Sequence, residues 1–323
     1  MRLGGRNDKA AWRVARQERV AINKWTGVCI TMKHGIFCAY WEKPAGTPAE
    51  YFVDKAKTLG FDVIELGANH IADRDDKGLF ALKDYADRQG VGITAGFGPP
   101  ERLSLCSEDA AVREAGIANL LSLMEKMGKI GVQIVGGGLH AYWPVVRSDV
   151  DKAADRKRSI ESLKRLAPAA EKYGVYLCLE VLNRFENHIL NTAKEAVAFV
   201  GEVGSPNVKI MLDTFHMNIE EDSIPAAIRT AGPLLGHFHT GESNRKVPGK
   251  GHLPWRQICE ALIDVGYQGA AVMEPFVRDD GGAAKYIRVW RMLTEGGEEQ
   301  MDRDAADALK FFKYVYNSCK ETN

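Results

Sequence analysis

The chain of 323 residues predicts an α/β fold, a single (β/α)8 TIM barrel preceded by an N-terminal extension. Three observations predict it. Eight short β-rich runs alternate with segments of helical periodicity. Several runs are apolar almost throughout, as parallel strands covered on both faces must be. No linker composition splits the alternation. A doubly wound open sheet is the alternative. It usually has fewer strands and often a glycine-rich phosphate turn after the first, whereas here the first run leads into YWEKPAG.

In order, the runs are GIFCAYW (35–41), FDVIELG (61–67), VGITAGFG (91–98), VQIVGGGL (132–139), VYLCLEVL (175–182), VKIMLDTF (208–215), LLGHFHT (234–240) and GAAVMEP (269–275). Between the first two, PAEYFVDKAKTLG places Phe52, Ala56 and Leu59 on one stripe and stops at Gly60, a C-cap residue. SEDAAVREAGIANLLSLMEKMGKIG opens on Ser107, a natural N-cap, with acidic residues in its first turn. Pro168 predicts a kink or break in the fourth helical segment. DRDAADALKFFKYVYN closes the chain as a helix. The barrel domain is expected to span 32–323.

Residues 1–31 carry Arg2, Arg6, Lys9, Arg13, Arg16, Arg19 and Lys24 against Asp8 and Glu18. No apolar stretch follows this basic start as a secretory signal would require. A transit-type presequence and a plain extension upstream of a start at Met32 are both open. A formal net charge of zero, with 45% hydrophobic and 27% charged residues, disfavours a nucleic-acid partner and describes a soluble globular chain. No run is long enough to span a membrane. The six cysteines have no CxxC or zinc-finger spacing, so a reducing, cytoplasmic setting is expected.

The chemistry concentrates at the ends of runs five to eight. Glu180 ends LCLE, Asp213 ends KIMLD, His239 lies in HFHT and Glu274 follows AVM. In a barrel of this kind the active site lies at the C-terminal strand ends. Adjacent strands are about 4.8 Å apart, so four successive ends can converge on one ion. Three carboxylates and an imidazole form a hard site suited to Mn²⁺ or Mg²⁺, with Co²⁺ able to substitute. The bland alternative is four ordinary polar residues paired with loop lysines. Such an uncompensated carboxylate cluster would repel itself. His237 and His239 share one side of their strand, His239 nearer the mouth; His237 is expected to be a satisfied core histidine or a partner behind the ligands.

Glu186, His216 and Arg245 each follow a ligand strand and are expected in loops, where they can hold hydroxyls and stabilise an oxyanion. Taken singly, each could equally be a solvated loop residue. The aromatics Phe37, Tyr40, Trp41, Phe97, Tyr142 and Trp143 fall at the ends of runs one, three and four. Some are core; others could wall a sugar's carbon face. Gly96 and Gly138 would let a ligand approach the backbone. VPGKG lacks the strand–loop–helix form of a phosphate loop and reads as a turn.

The segments MKHGIFCAYWE, GGGLHAYWP, LEVLNRFENHILNT, IMLDTFHMNIEED, AGPLLGHFHTGESNR and VMEPF resemble the ketohexose 3-epimerases, the D-allulose (D-psicose) and D-tagatose 3-epimerases of the xylose-isomerase-like barrels. The resemblance covers about residues 32–317. It implies Glu180, Asp213, His239 and Glu274 as ligands of Mn²⁺ or Co²⁺, with Glu180 and Glu274 also the acid/base pair. It places Glu186, His216 and Arg245 on O1 to O3 of a ketose, and Phe37, Gly96, Phe97, Gly138 and Trp143 in the pocket. It implies a free ketose as substrate, no organic cofactor, and a homodimer or homotetramer. An aldose–ketose isomerase on the same barrel is the nearest rival. An apurinic endonuclease would need three zinc ions, more site histidines and a basic face. A non-catalytic sugar-binding protein would not need an intact acid/base pair.

Overall fold

The computed structural model describes residues 32–42, 46–145, 147 and 149–321. The expected extension 1–31 lies outside the described residues, as does Cys29. By its internal contacts the barrel unit is Lys33–Asn323.

All eight predicted runs form strands, seven trimmed at one or both ends and the first shifted toward the N-terminus: β1 (Lys33–Phe37), β2 (Val63–Gly67), β3 (Gly92–Gly96), β4 (Ile134–Gly137), β5 (Tyr176–Glu180), β6 (Val208–Asp213), β7 (Leu235–Thr240) and β8 (Ala270–Met273). They pair in parallel and in sequence order, and β8 closes on β1, with His34 beside Ala271 and Gly35 beside Val272. Closure excludes the open-sheet alternative. The long helices between and after them are α1 (Ala49–Leu59), α2 (Asp76–Gln89), α3 (Ala110–Lys129), α4 (Lys152–Tyr173), α5 (Ala193–Val203), α6 (Ile224–Ala231), α7 (Trp255–Asp264) and α8 (Gly297–Glu321). Among the described residues no helix is long and apolar enough to cross a membrane.

Of the expected stripe of α1, Phe52 and Ala56 are buried and Leu59 is half-buried, while Val53 is buried beside them; Gly60 ends the helix in the left-handed region, φ 85°. Two local expectations change and a third is settled. Asp109, not Ser107, caps α3: its carboxylate accepts from Ala111 N at 2.8 Å, while Ser107 Oγ accepts from Asp109 N. A carboxylate next to the first helical residue satisfies the orphan N–H groups directly. Helix α4 runs unbroken through Pro168. Pro168 and Lys164 both face solvent, so water can satisfy the Lys164 carbonyl that loses its donor. Third, the choice left open for Tyr40 and Trp41 closes on core rather than pocket wall. The Tyr40 hydroxyl donates to Met301 O at 2.9 Å and Trp41 Nε1 to Asp302 Oδ1 at 2.8 Å, tying the turn after β1 to α8. Cys38, Cys106, Cys178 and Cys259 are buried thiols.

The barrel interior is polar midway up. Glu65, Thr94 and His237 meet there, and all three are buried. Gly136 makes room for them: a Cβ at that position would lie 2.5 Å from Met211 Sδ and 3.2 Å from His237 Cδ2.

Candidate active site

Register brings the four strand-end residues together. Glu180 is the last residue of β5 and pairs with Met211, two residues before Asp213. Asp213 ends β6 directly beside His239 of β7. Glu274 follows β8, and its N–H donates to Thr240 O at 3.0 Å. One ligand-type atom from each of the four lies within 4.8 Å of the others. His216 does not lie in a loop, as expected. It sits in the first turn of a short helix, Thr214–Glu220, whose N-cap is Asp213 itself, and Asp213 Oδ1 accepts from His216 N at 3.0 Å. One Asp213 oxygen thereby starts the helix and the other is left for the cluster.

Among the described residues, Glu180 Oε1, Asp213 Oδ2 and His239 Nδ1 are buried without a hydrogen-bond partner. Orphaned buried acceptors cost about 1–3 kcal/mol each, more when charged. His239 Nδ1 lies 3.3 Å from Glu274 Oε1, poorly aligned for a hydrogen bond. Burial pushes the Glu180 carboxyl well up, and the charge of Glu274 adds to it. Burial alone would lower the His239 ring, yet the charges of Glu65 and Glu274 drive it well above its ordinary value. Burial and the crowding of acidic groups account for both shifts. The four side chains could hold a metal ion, and three oxygens plus one imidazole fit a hard divalent cation.

Above the cluster is a cavity of about 250 Å³. Glu180, Glu186, His216, Arg245 and Glu274 line one part of it; Phe37, Gly96, Phe97, Gly138 and Trp143 line another. Asp213 and His239 lie among the buried residues beneath. Glu186 accepts from Arg245 Nη2 at 2.8 Å, Trp143 Nε1 at 2.8 Å and Asn183 Nδ2 at 3.0 Å. Burial opposes its charge, but Arg245 and His216 outweigh burial and hold the carboxyl below its usual value. Arg245 has left-handed backbone, φ 63°, and its guanidinium carbon stacks 3.6 Å over the Phe215 ring. Its Nε and Nη1 are buried without a hydrogen-bond partner among the described residues, and Nη1 lies 3.9 Å from Glu274 Oε2. The N–H of Asn183 donates to His216 Nδ1 at 3.2 Å, so the opposite nitrogen, Nε2, faces Glu180 Oε1 at 3.5 Å. Burial lowers the His216 ring against the opposing charges of Glu186 and Asp213.

Several residues of this site escaped sequence reading. Glu65 is wholly buried and accepts from Thr94 and from both histidines of β7. Its signal was the acid inside the otherwise apolar strand VIELG. Asn183 orients both Glu186 and His216. Nothing distinguishes it from the other polar residues of LNRFEN. Glu42, Phe276 and Tyr286 also line the cavity.

Comparison with known proteins is decisive. The family model for the xylose isomerase-like TIM barrel matches residues 53–312. The D-psicose 3-epimerase of Agrobacterium fabrum is 52% identical over 286 residues, covering 88% of this chain and 99% of that protein. The chain belongs to the ketohexose 3-epimerase family. It is therefore an isomerase of the epimerase kind. A second D-psicose 3-epimerase, from Ruminiclostridium cellulolyticum, is 48% identical over 293 residues, 90% of this chain and all of that one. A crystal structure of a D-psicose 3-epimerase in the presence of D-fructose superposes with a TM-score of 0.86 at 52% identity, covering 88% of this chain and 99% of that one. For this family the eight-stranded barrel is the expected scaffold, and the carboxylates at its mouth are where its chemistry must be sought.

Proposed function

We propose that this epimerase inverts C3 of free ketohexoses, interconverting D-fructose with D-allulose and D-tagatose with D-sorbose. Glu180 and Glu274 are the proton carriers. The observation that carries the reading is that both carboxylates line one cavity while arising from strands separated by two others. The C3 proton of a ketose is acidified by the neighbouring C2 carbonyl. One glutamate removes it, leaving a planar cis-enediolate. The other returns a proton to the opposite face, and C3 is inverted. The two exchange roles when the reaction runs backward. The Arg245 donors that lack a hydrogen-bond partner and His216 Nε2 hydrogen-bond the ketose oxygens on which charge develops. Glu186 holds Arg245 in place and accepts from a substrate hydroxyl.

Glu180, Asp213, His239 and Glu274 would hold Mn²⁺, with Co²⁺ or Mg²⁺ as substitutes. When bound, the ion polarises the C2 carbonyl and lowers the cost of forming the enediolate. Phe37, Phe97 and Trp143 supply an apolar wall, and Gly96 and Gly138 allow close approach. A cytoplasmic homo-oligomer completes the reading.

Incubation of the Mn²⁺-loaded enzyme with D-fructose in D₂O tests it. Deuterium at C3 in the D-allulose formed is expected. Label at C1 together with an aldose product would instead identify an aldose–ketose isomerase.

A further inference from the structure

Two buried clusters of potential metal ligands share His239. One is the strand-end set described above; the other is Glu65, His237 and His239. Their internal geometry differs. In the second, His237 Nε2 lies 2.6 Å from Glu65 Oε2 and His239 Nε2 lies 2.8 Å from Glu65 Oε1. Two ligands bridged by an ion at bond lengths of about 2.1 Å stand roughly 3.0–3.4 Å apart. The observed separations are those of direct hydrogen bonds. In the first set the atoms that face one another have no such partner.

We infer that Glu65 is a positioning residue that fixes both the orientation and the tautomer of His239, and that the Glu65–His237–His239 cluster holds no ion. This rests on the reading of the strand-end set as a metal centre. Glu65 stands on β2 and the histidines on β7, so the carboxylate reaches across the barrel. It can only accept. Each of its oxygens meets one imidazole Nε2, and Oε2 also takes the Thr94 hydroxyl at 2.8 Å. Both rings must therefore carry their proton on Nε2 when neutral. His239 is left with its lone pair on Nδ1, the atom that looks toward Glu274. The Thr94 hydroxyl fixes the carboxylate in turn. His237 pins the second oxygen, so Glu65 cannot swing away without losing an interaction on each side. Gly96 leaves the space this requires: a Cβ there would fall 3.1 Å from Glu65 Oε1.

The test is metal binding to metal-stripped protein, measured by calorimetry with Mn²⁺ alone. Wild type, Glu65→Gln and Thr94→Val are compared, with thermal unfolding of each metal-free protein as the control for folding. One ion per chain is expected in wild type. Glu65→Gln keeps the shape but forces an N–H against one histidine, and should bind Mn²⁺ about 10- to 100-fold more weakly. Thr94→Val removes only the outer donor and should show a smaller loss in the same direction. Saturating Mn²⁺ should restore most of the Glu65→Gln turnover, because the proton carriers are untouched. Two high-affinity ions per wild-type chain would overturn the inference. So would Glu65→Gln with lowered thermal stability but unchanged Mn²⁺ affinity. Wild type that binds one ion but exchanges no C3 proton would sink the proposed reaction and leave the role of Glu65 standing.

Discussion

The two halves of the barrel mouth are built from different chemistry. Strands β5 to β8 and the segments after them carry Glu180, Glu186, Asp213, His216, His239, Arg245 and Glu274. Strands β1 to β4 and their following segments contribute Phe37, Gly96, Phe97, the run Gly136–Gly138 and Trp143. One half offers mostly charged and titratable groups and the other mostly backbone and aromatic surface, although Glu42 lies in the second and Phe276 and Tyr286 in the first. The difference teaches that reaction and fit are separable here. The charged half can act on the polar end of a small ligand while the glycine-rich half sets how close the ligand comes. Two residues cross the divide. Glu65 reaches from β2 to the histidines of β7, and Trp143 donates from the segment after β4 to Glu186.

The comparison breaks most visibly at the proton carriers. Glu180→Gln and Glu274→Gln should each lower C3 epimerisation by about 10³-fold or more. If the two serve opposite faces, each variant at saturating metal should still wash deuterium into one epimer of the pair and not the other, as read by mass spectrometry. Washout from both epimers in either variant would mean a single base.

In the opposite half the expected damage is to the fold. Gly137 has φ 125°, and a Cβ there would clash with the Phe97 carbonyl. Gly137→Ala should therefore cost about 3 kcal/mol of stability, measured by urea unfolding. Its effect on Mn²⁺ affinity should be slight. An unchanged midpoint would show that the glycine run is not sterically required.

Trp143→Phe is the mildest probe, because it keeps a ring and removes one hydrogen bond to Glu186. A loss of about 1–2 kcal/mol of transition-state stabilisation, near tenfold in kcat/KM, is expected. A loss in KM alone would place Trp143 wholly with the shape-setting half. A loss in kcat would tie it to the charged one.

Where sequence reading succeeded, the information was local. An apolar run broken by a carboxylate most often marks a strand and its end, because a charge buried within a strand needs partners such as those Glu65 finds. Glu180, Asp213 and Glu274 were legible for that reason, and His239 by its spacing from His237. Where it failed, the outcome depended on a partner. Whether Tyr40 and Trp41 were core or pocket wall stayed open until their hydrogen bonds to α8 decided for core. His216 looked like a loop residue because its helix is a single short one started by Asp213. Asn183 had no signal at all, since its role is defined by two side chains it touches.

The sequence by itself determined the barrel, the order of its strands and the four residues at the last strand ends. These follow from patterning with short range, and parallel strands in chain order leave few ways to arrange them. Only the tertiary structure decided how the site is held. Glu65 and His237 are 172 residues apart, and their contact exists only because the sheet closes on itself and brings β2 and β7 across one interior. Periodicity reports that a residue is buried. Which group it meets there is set by closure and register.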